Sequence, residues 1–70
     1  MAARIDRIIS AGATLMLSDG SMWNVPFRRD REKTRFWEPQ EELEPVGMEG
    51  LRYRLKNLAR DETVTAERLK

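Results

Sequence analysis

The side chains in this chain that could do chemistry are charged, and they come in blocks. Residues 28–35 read RRDREKTR: Arg28, Arg29, Arg31, Lys33 and Arg35 against only Asp30 and Glu32. Residues 38–50 reverse the sign, with Glu38, Glu41, Glu42, Glu44 and Glu49 and no basic residue. A third group, Arg52, Arg54 and Lys56, recurs at every second position. Guanidinium groups suit phosphates and carboxylates, which they grip through paired N–H donors. On a strand, alternate side chains share one face about 7 Å apart. Arg52, Arg54 and Lys56 can therefore present a row of cations to an anion, with Arg28, Arg29, Arg31 and Arg35 as further ligands. The competing reading is a solvated face whose charges are met by the glutamates. The net charge of +1 favours it, since a general nucleic-acid surface carries a clear basic excess.

The remaining chemistry is narrow. The chain has no cysteine and no histidine. That excludes disulfides, thiolate catalysis and cysteine-ligated metals, and removes the commonest general base and transition-metal ligand. The five glutamates lack the spacing of a calcium loop, so no metal is expected. No glycine-rich phosphate loop occurs, and so small a domain encloses little volume for a carboxylate pair tuned for acid–base work. The expectation is a protein that is not an enzyme and has no cofactor. Of the aromatic residues, Trp23 and Tyr53 are expected in the core. Trp37, beside the charged block, is the candidate for stacking on a base.

These residues need a scaffold, and its plainest element is residues 14–25, TLMLSDGSMWNV. Two apolar runs flank Ser18-Asp19-Gly20-Ser21, a strong hairpin signal. A two-residue Asp19-Gly20 loop would mix the faces. A type I turn with Gly20 as a left-handed bulge sets Leu17 opposite Ser21. Ala13, Leu15 and Leu17 then share an apolar face with Trp23 and Val25, and this register is expected. Residues 4–10, rich in isoleucine, predict a strand with Ile5 and Ile9 facing one way and Arg7 between them. Pro26 ends the strand that carries Trp23. Residues 28–50 are read as a charged loop with up to one helical turn. Within it Phe36-Trp37 closes one end of the core, and residues 42–46 offer a short edge strand. Residues 51–56 alternate Leu51, Tyr53, Leu55 with Arg52, Arg54, Lys56, the period of a half-buried strand. A helix placing Leu51, Leu55, Leu58 and Ala59 on one face is the rival. The turn at residues 59–62 and the β-branched residues 63–66 favour a second hairpin, with residues 67–70 expected to fray.

One domain spanning residues 1–70 follows, and its core is small enough for oligomerisation to help. The expected class is all-β: a small SH3-like barrel or strongly bent antiparallel sheet of about five strands. LSDGSMWNV followed by YRLKNLARDETVTA resembles the two halves of small bacterial and phage proteins with SH3-like barrels, over roughly half the chain. The resemblance implies that fold and no functional residue. With no apolar run of membrane-spanning length and no signal-peptide core, a cytoplasmic protein without membrane contact is expected. The function expected is a binding module for another protein or for itself, as a homo-oligomer. The alternatives are an anionic ligand, either nucleic acid or a nucleotide, and a structural part of an assembly such as a phage particle.

Overall fold

The computed structural model describes residues 2–70 and is all-β, with six antiparallel strands closed into a ring and one short helix. The strands are β1 (Ala3–Ile9), β2 (Thr14–Leu17), β3 (Met22–Asn24), β4 (Glu42–Glu49), β5 (Arg52–Asn57) and β6 (Glu62–Arg68). Their order around the ring is β1-β2-β3-β6-β5-β4, closed by β1 on β4. The helix α1 spans Arg28–Thr34, between β3 and β4.

The first hairpin takes the bulged register. Leu15 pairs with Trp23 and Met16 with Met22, and the Gly20 amide bonds back to the Leu17 carbonyl. Gly20 has φ +87°, a value that favours glycine. Leu15, Leu17, Trp23 and Val25 all point inward, while Thr14, Met16, Met22 and Asn24 form the half-buried outer row. Asp19 holds the turn by accepting from both the amide and the hydroxyl of Ser21, and the Trp23 indole N–H donates to the same hydroxyl at 2.9 Å.

Residues 52–57 are strand, as the alternation predicts for all but Leu51, and β5 with β6 makes the second hairpin. Leu55 faces the core, and Tyr53 meets Trp23 edge-on at 5.1 Å. Leu51, expected inward, lies in the turn before β5 and is 93% exposed.

Four expectations are corrected. Arg7 does not share the inward face of Ile5 and Ile9. A bulge between Ile5 and Arg7 shifts the register by one, so Ile5 and Ile8 pack inward and Arg7 points out. The charged segment 28–50 is not one loop. Its first third is α1, and β4 takes most of its last third. Phe36 and Trp37 do not close the core together: Trp37 is 3% exposed and Phe36 60%. Residues 67–70 do not fray, because Asn24 pairs with Glu67, Trp23 with Arg68, and the Leu69 amide donates to the Met22 carbonyl.

Helix α1 is nearly all charged, so tertiary anchors must hold it. The Thr34 hydroxyl, fully buried, donates to the Gly12 carbonyl at 2.7 Å. The buried Asp30 carboxylate accepts the Thr65 amide of β6 at 3.2 Å. The Arg31 guanidinium donates to the Val25 carbonyl. A short helix with few apolar groups is not stable alone, and these three bonds replace an apolar face.

Candidate functional site

The barrel sorts the chain into two ends. At one lie the β1–β2 turn, α1, the segment 35–41 and the β5–β6 turn. At the other lie the start of β1, the Ser18–Ser21 turn, the β4–β5 hairpin tip and the end of β6.

The first end is closed by side chains. Trp37 plugs it, and its indole N–H donates to Glu62 at 2.7 Å. Trp37 therefore has no free face, and the expected stacking role is not available to it. Beside it the fully buried Asn57 donates to Glu41, and its carbonyl oxygen accepts the amides of Ala59 and Arg60. The Arg60 guanidinium reaches both Glu41 oxygens at 3.0 and 2.9 Å. Burial pushes the Glu41 carboxyl up, but the bonds from the Glu38 amide, Asn57 and Arg60 outweigh it and hold it below its ordinary value. A cleft of about 540 Å³ opens alongside, lined by Glu38, Pro39, Glu42 and Leu58 among others.

The candidate anion ligands divide. Arg52, Arg54 and Lys56 do share the outer face of β5, but each meets a carboxylate. Arg52 binds Glu67 at 3.0 Å, Arg54 binds Glu49 at 3.3 Å and Lys56 binds Asp61 at 3.1 Å. Glu67 is held below its ordinary pKa by the Asn24 amide and by Arg52. Arg31 is turned to the backbone, and Arg35 pairs with Glu32. Among the described residues Arg28, Arg29 and Lys33 have no carboxylate within ion-pair distance. The acidic segment is met from elsewhere: Glu38 and Glu41 by Arg60, Glu42 by Arg4, Glu49 by Arg54. The two oppositely charged blocks thus do not pair with each other.

One convergence was not legible in the residue spacing. The Arg29 and Arg52 guanidiniums both lie against the Phe27 ring, 5.4 and 5.1 Å from its centre. The strand cations and the helix cations therefore meet on one aromatic side chain. Stacking fixes the guanidinium planes, and Arg52 already spends its Nε–H on Glu67. Phe27 follows Pro26 with no chemistry in its neighbours, and only the packing of α1 over β6 brings it to Arg52.

At the second end Trp23, packed edge-on against Tyr53 and under Arg68, is buried with Leu17 and Ser21. Residues 42 and 43 of β4 pair on one side with β1 and on the other with β5, but residues 45–49 pair with β5 alone among the described residues. The β4–β5 hairpin overhangs the ring, and its large apolar side chains are in water. Val46 is 49% exposed, Met48 56% and Leu51 93%. Leu69, at the end of β6, is 57% exposed. The β5–β6 register sets Tyr53 against Ala66, and Leu69 follows Arg68 at the end of β6.

Among the described residues no group of acidic side chains is arranged to hold a metal ion, and no helix is long and apolar enough to cross a membrane. No protein-family model matches the chain, nor does any curated protein or solved structure.

Proposed function

We propose that this protein is a non-enzymatic binding module that contacts another protein through the end of its barrel that carries the β4–β5 hairpin tip. The overhang of β4 and β5 carries this reading, because it keeps Val46, Met48 and Leu51 in water where a monomer gains nothing from them. A cytoplasmic setting accords with a chain that uses no cysteine. Photo-crosslinking in cells tests it. A crosslinking side chain at position 51 is expected to yield protein adducts and one at position 33, on α1, to yield none. Absence of any adduct from position 51 would remove the reading.

A second reading rests on Phe27. Arg29 and Arg52, held on its ring, with Arg28 adjacent, form the one place where the basic groups converge. That arrangement suits a phosphate-bearing ligand, nucleic acid or a nucleotide. Titration against short single-stranded DNA and a mononucleotide panel decides it. The double variant Arg29→Ala/Arg52→Ala is expected to abolish any affinity seen, and a wild-type titration without binding below millimolar would eliminate this alternative.

A further inference from the structure

We infer that the group recognised beside Phe27 is a phosphate monoester, and that Glu67 sets its affinity by competing for Arg52. The inference rests on the second reading above and narrows it from any phosphate-bearing ligand to one class. Three observations carry it.

The first is the gathering of like charge. Arg29 of α1 and Arg52 of β5 lie 5.4 and 5.1 Å from the centre of one ring, and Arg28 stands between Phe27 and Arg29 in the chain. Aromatic faces attract cations, but cations repel one another, so such a cluster is completed by an anion. Among the described residues neither Arg28 nor Arg29 has a carboxylate within ion-pair distance. Glu67 meets the cluster through Arg52 alone, at 3.0 Å. Three cations against one carboxylate leave two positive charges in excess. A phosphate monoester matches that excess, with about 1.5–2 negative charges at neutral pH and three strong acceptor oxygens. A backbone diester brings only one charge per phosphate.

The second is the boundary of the cluster. Along β5, Arg54 is met by Glu49 and Lys56 by Asp61. Along α1, Arg31 is turned to the Val25 carbonyl and Arg35 pairs with Glu32. Lys33, one helical turn beyond Arg29, is the single extension among the described residues. A nucleic-acid backbone is held by a run of cations along its path. Here the run stops within a turn of the ring, which suits a compact terminal group.

The third is the state of Arg52. Its Nε–H goes to Glu67 at 3.0 Å, and Glu67 also accepts from the Asn24 amide at 3.2 Å. Among the described residues its Nη groups have no hydrogen-bond partner, and they are the donors that face a ligand. Glu67 shares that guanidinium with the ligand and repels an incoming dianion. Removing the Glu67 charge therefore strengthens binding, whereas loss of a merely structural partner would weaken it or leave it unchanged.

The test is titration calorimetry on the full chain at low salt with inorganic phosphate, with adenosine 5′-monophosphate, and with a short thymidine strand that carries or lacks a 5′-phosphate. Inorganic phosphate, the mononucleotide and the 5′-phosphorylated strand are all expected to bind. The strand without a terminal phosphate should bind at least tenfold more weakly than its phosphorylated twin. Arg29→Ala, at an exposed position, should lower the affinity for the mononucleotide at least tenfold. Glu67→Gln, which keeps an acceptor for Asn24 and Arg52, should raise it at least threefold. Both variants should retain the native near-ultraviolet spectrum of Trp23 and Trp37. Equal affinity for the two strands overturns the inference and leaves the broader anion reading standing. Binding by none of the four probes removes both. Mononucleotide binding that Arg29→Ala leaves unchanged places the phosphate elsewhere and overturns the inference, and so does a Glu67→Gln variant that binds more weakly than the wild type.

Discussion

The two ends of this barrel satisfy the same requirement in opposite ways. At the plugged end, Trp37 fills the opening and every nearby polar group is bonded: Glu62 to Trp37, Glu41 to Asn57 and Arg60, Thr34 to Gly12. At the other end the ring stops at a polar turn, Asp19-Gly20-Ser21, and the hairpin beyond it keeps apolar side chains in water. Around Trp37 and Glu41 the side chains are anchored inside one chain, while the large apolar side chains of the β4–β5 tip are in water. A small domain has few apolar groups, and leaving several outside is a cost to folding that only a contact would offset.

The comparison is most easily broken at Trp37. Trp37→Ala opens a cavity at the plugged end and strands Glu62, so a loss of about 3–5 kcal/mol in urea unfolding is expected. A loss below about 1 kcal/mol would mean that this end is not anchored as described. Gly12→Ala is next. Gly12 has φ +92°, and a Cβ there would stand 2.4 Å from the Thr34 hydroxyl and 2.6 Å from the Arg35 amide. Left-handed strain alone costs about 1–3 kcal/mol, and the clash must push α1 off the β1–β2 turn. Hydrogen exchange should show the α1 amides losing protection ahead of the β5 amides. Asp30→Ala leaves the Thr65 amide buried and unbonded, at a cost of about 1–3 kcal/mol. Asp30→Asn, whose amide oxygen can still accept that bond, should recover part of it.

Acidification acts at both ends. Asp19 is held below its ordinary value by the Ser21 hydroxyl and amide, Glu67 by Asn24 and Arg52, and Glu41 by bonds that outweigh its burial. A carboxyl depressed in the folded state binds fewer protons there than in the unfolded chain. Its contribution is present above the unfolded values, 3.8 for Asp and 4.5 for Glu, and is lost as pH falls through the folded ones. Urea midpoints should be flat from pH 7 to about 5 and fall below about 4.5. Asp19→Asn should flatten part of that fall. The smallest effect belongs to the β4–β5 tip. Leu51→Ser and Met48→Ser should change monomer stability by no more than about 0.5 kcal/mol, the ordinary range for surface positions. A larger loss at either would place that residue in the monomer's own packing and remove the contrast between the ends.

The hairpins were legible in the sequence because each is written locally. Asp19-Gly20 requires a turn, the one-residue choice of register is fixed by which face becomes apolar, and Leu51–Lys56 alternates too regularly to ignore. What could not be read depends on contacts between distant residues. The bulge at Ile5–Arg7 reverses the side on which Arg7 points, and nothing in ARIDRII announces it. Helix α1 forms in a segment with no apolar periodicity, because Asp30 and Thr34 find partners in Thr65 and Gly12. The candidate cations were legible as residue types. Their availability was not, since Glu67, Glu49 and Asp61 neutralise the β5 row from positions set by the sheet. Phe27, where two basic groups converge, carried no signal of its own.

The ring is closed by two short seams, and these bear on how fast the molecule comes together and apart. Four of the pairings, β1 with β2, β2 with β3, β4 with β5 and β5 with β6, join neighbours along the chain and need only short loops to form. The seam between β1 and β4 joins Ala3 to Leu43 and Arg4 to Glu42, and that between β3 and β6 joins Trp23 to Arg68 and Asn24 to Glu67. Each brings together distant stretches of chain over only two residue pairs, and such contacts are rewarded only after the loop entropy has been spent. The hairpins should therefore assemble early and the seams last. Weakening a seam should then speed unfolding while leaving the folding rate nearly unchanged. Until both seams close, the molecule is an open sheet with free edges, and its exposure to misassembly is set by how long that interval lasts.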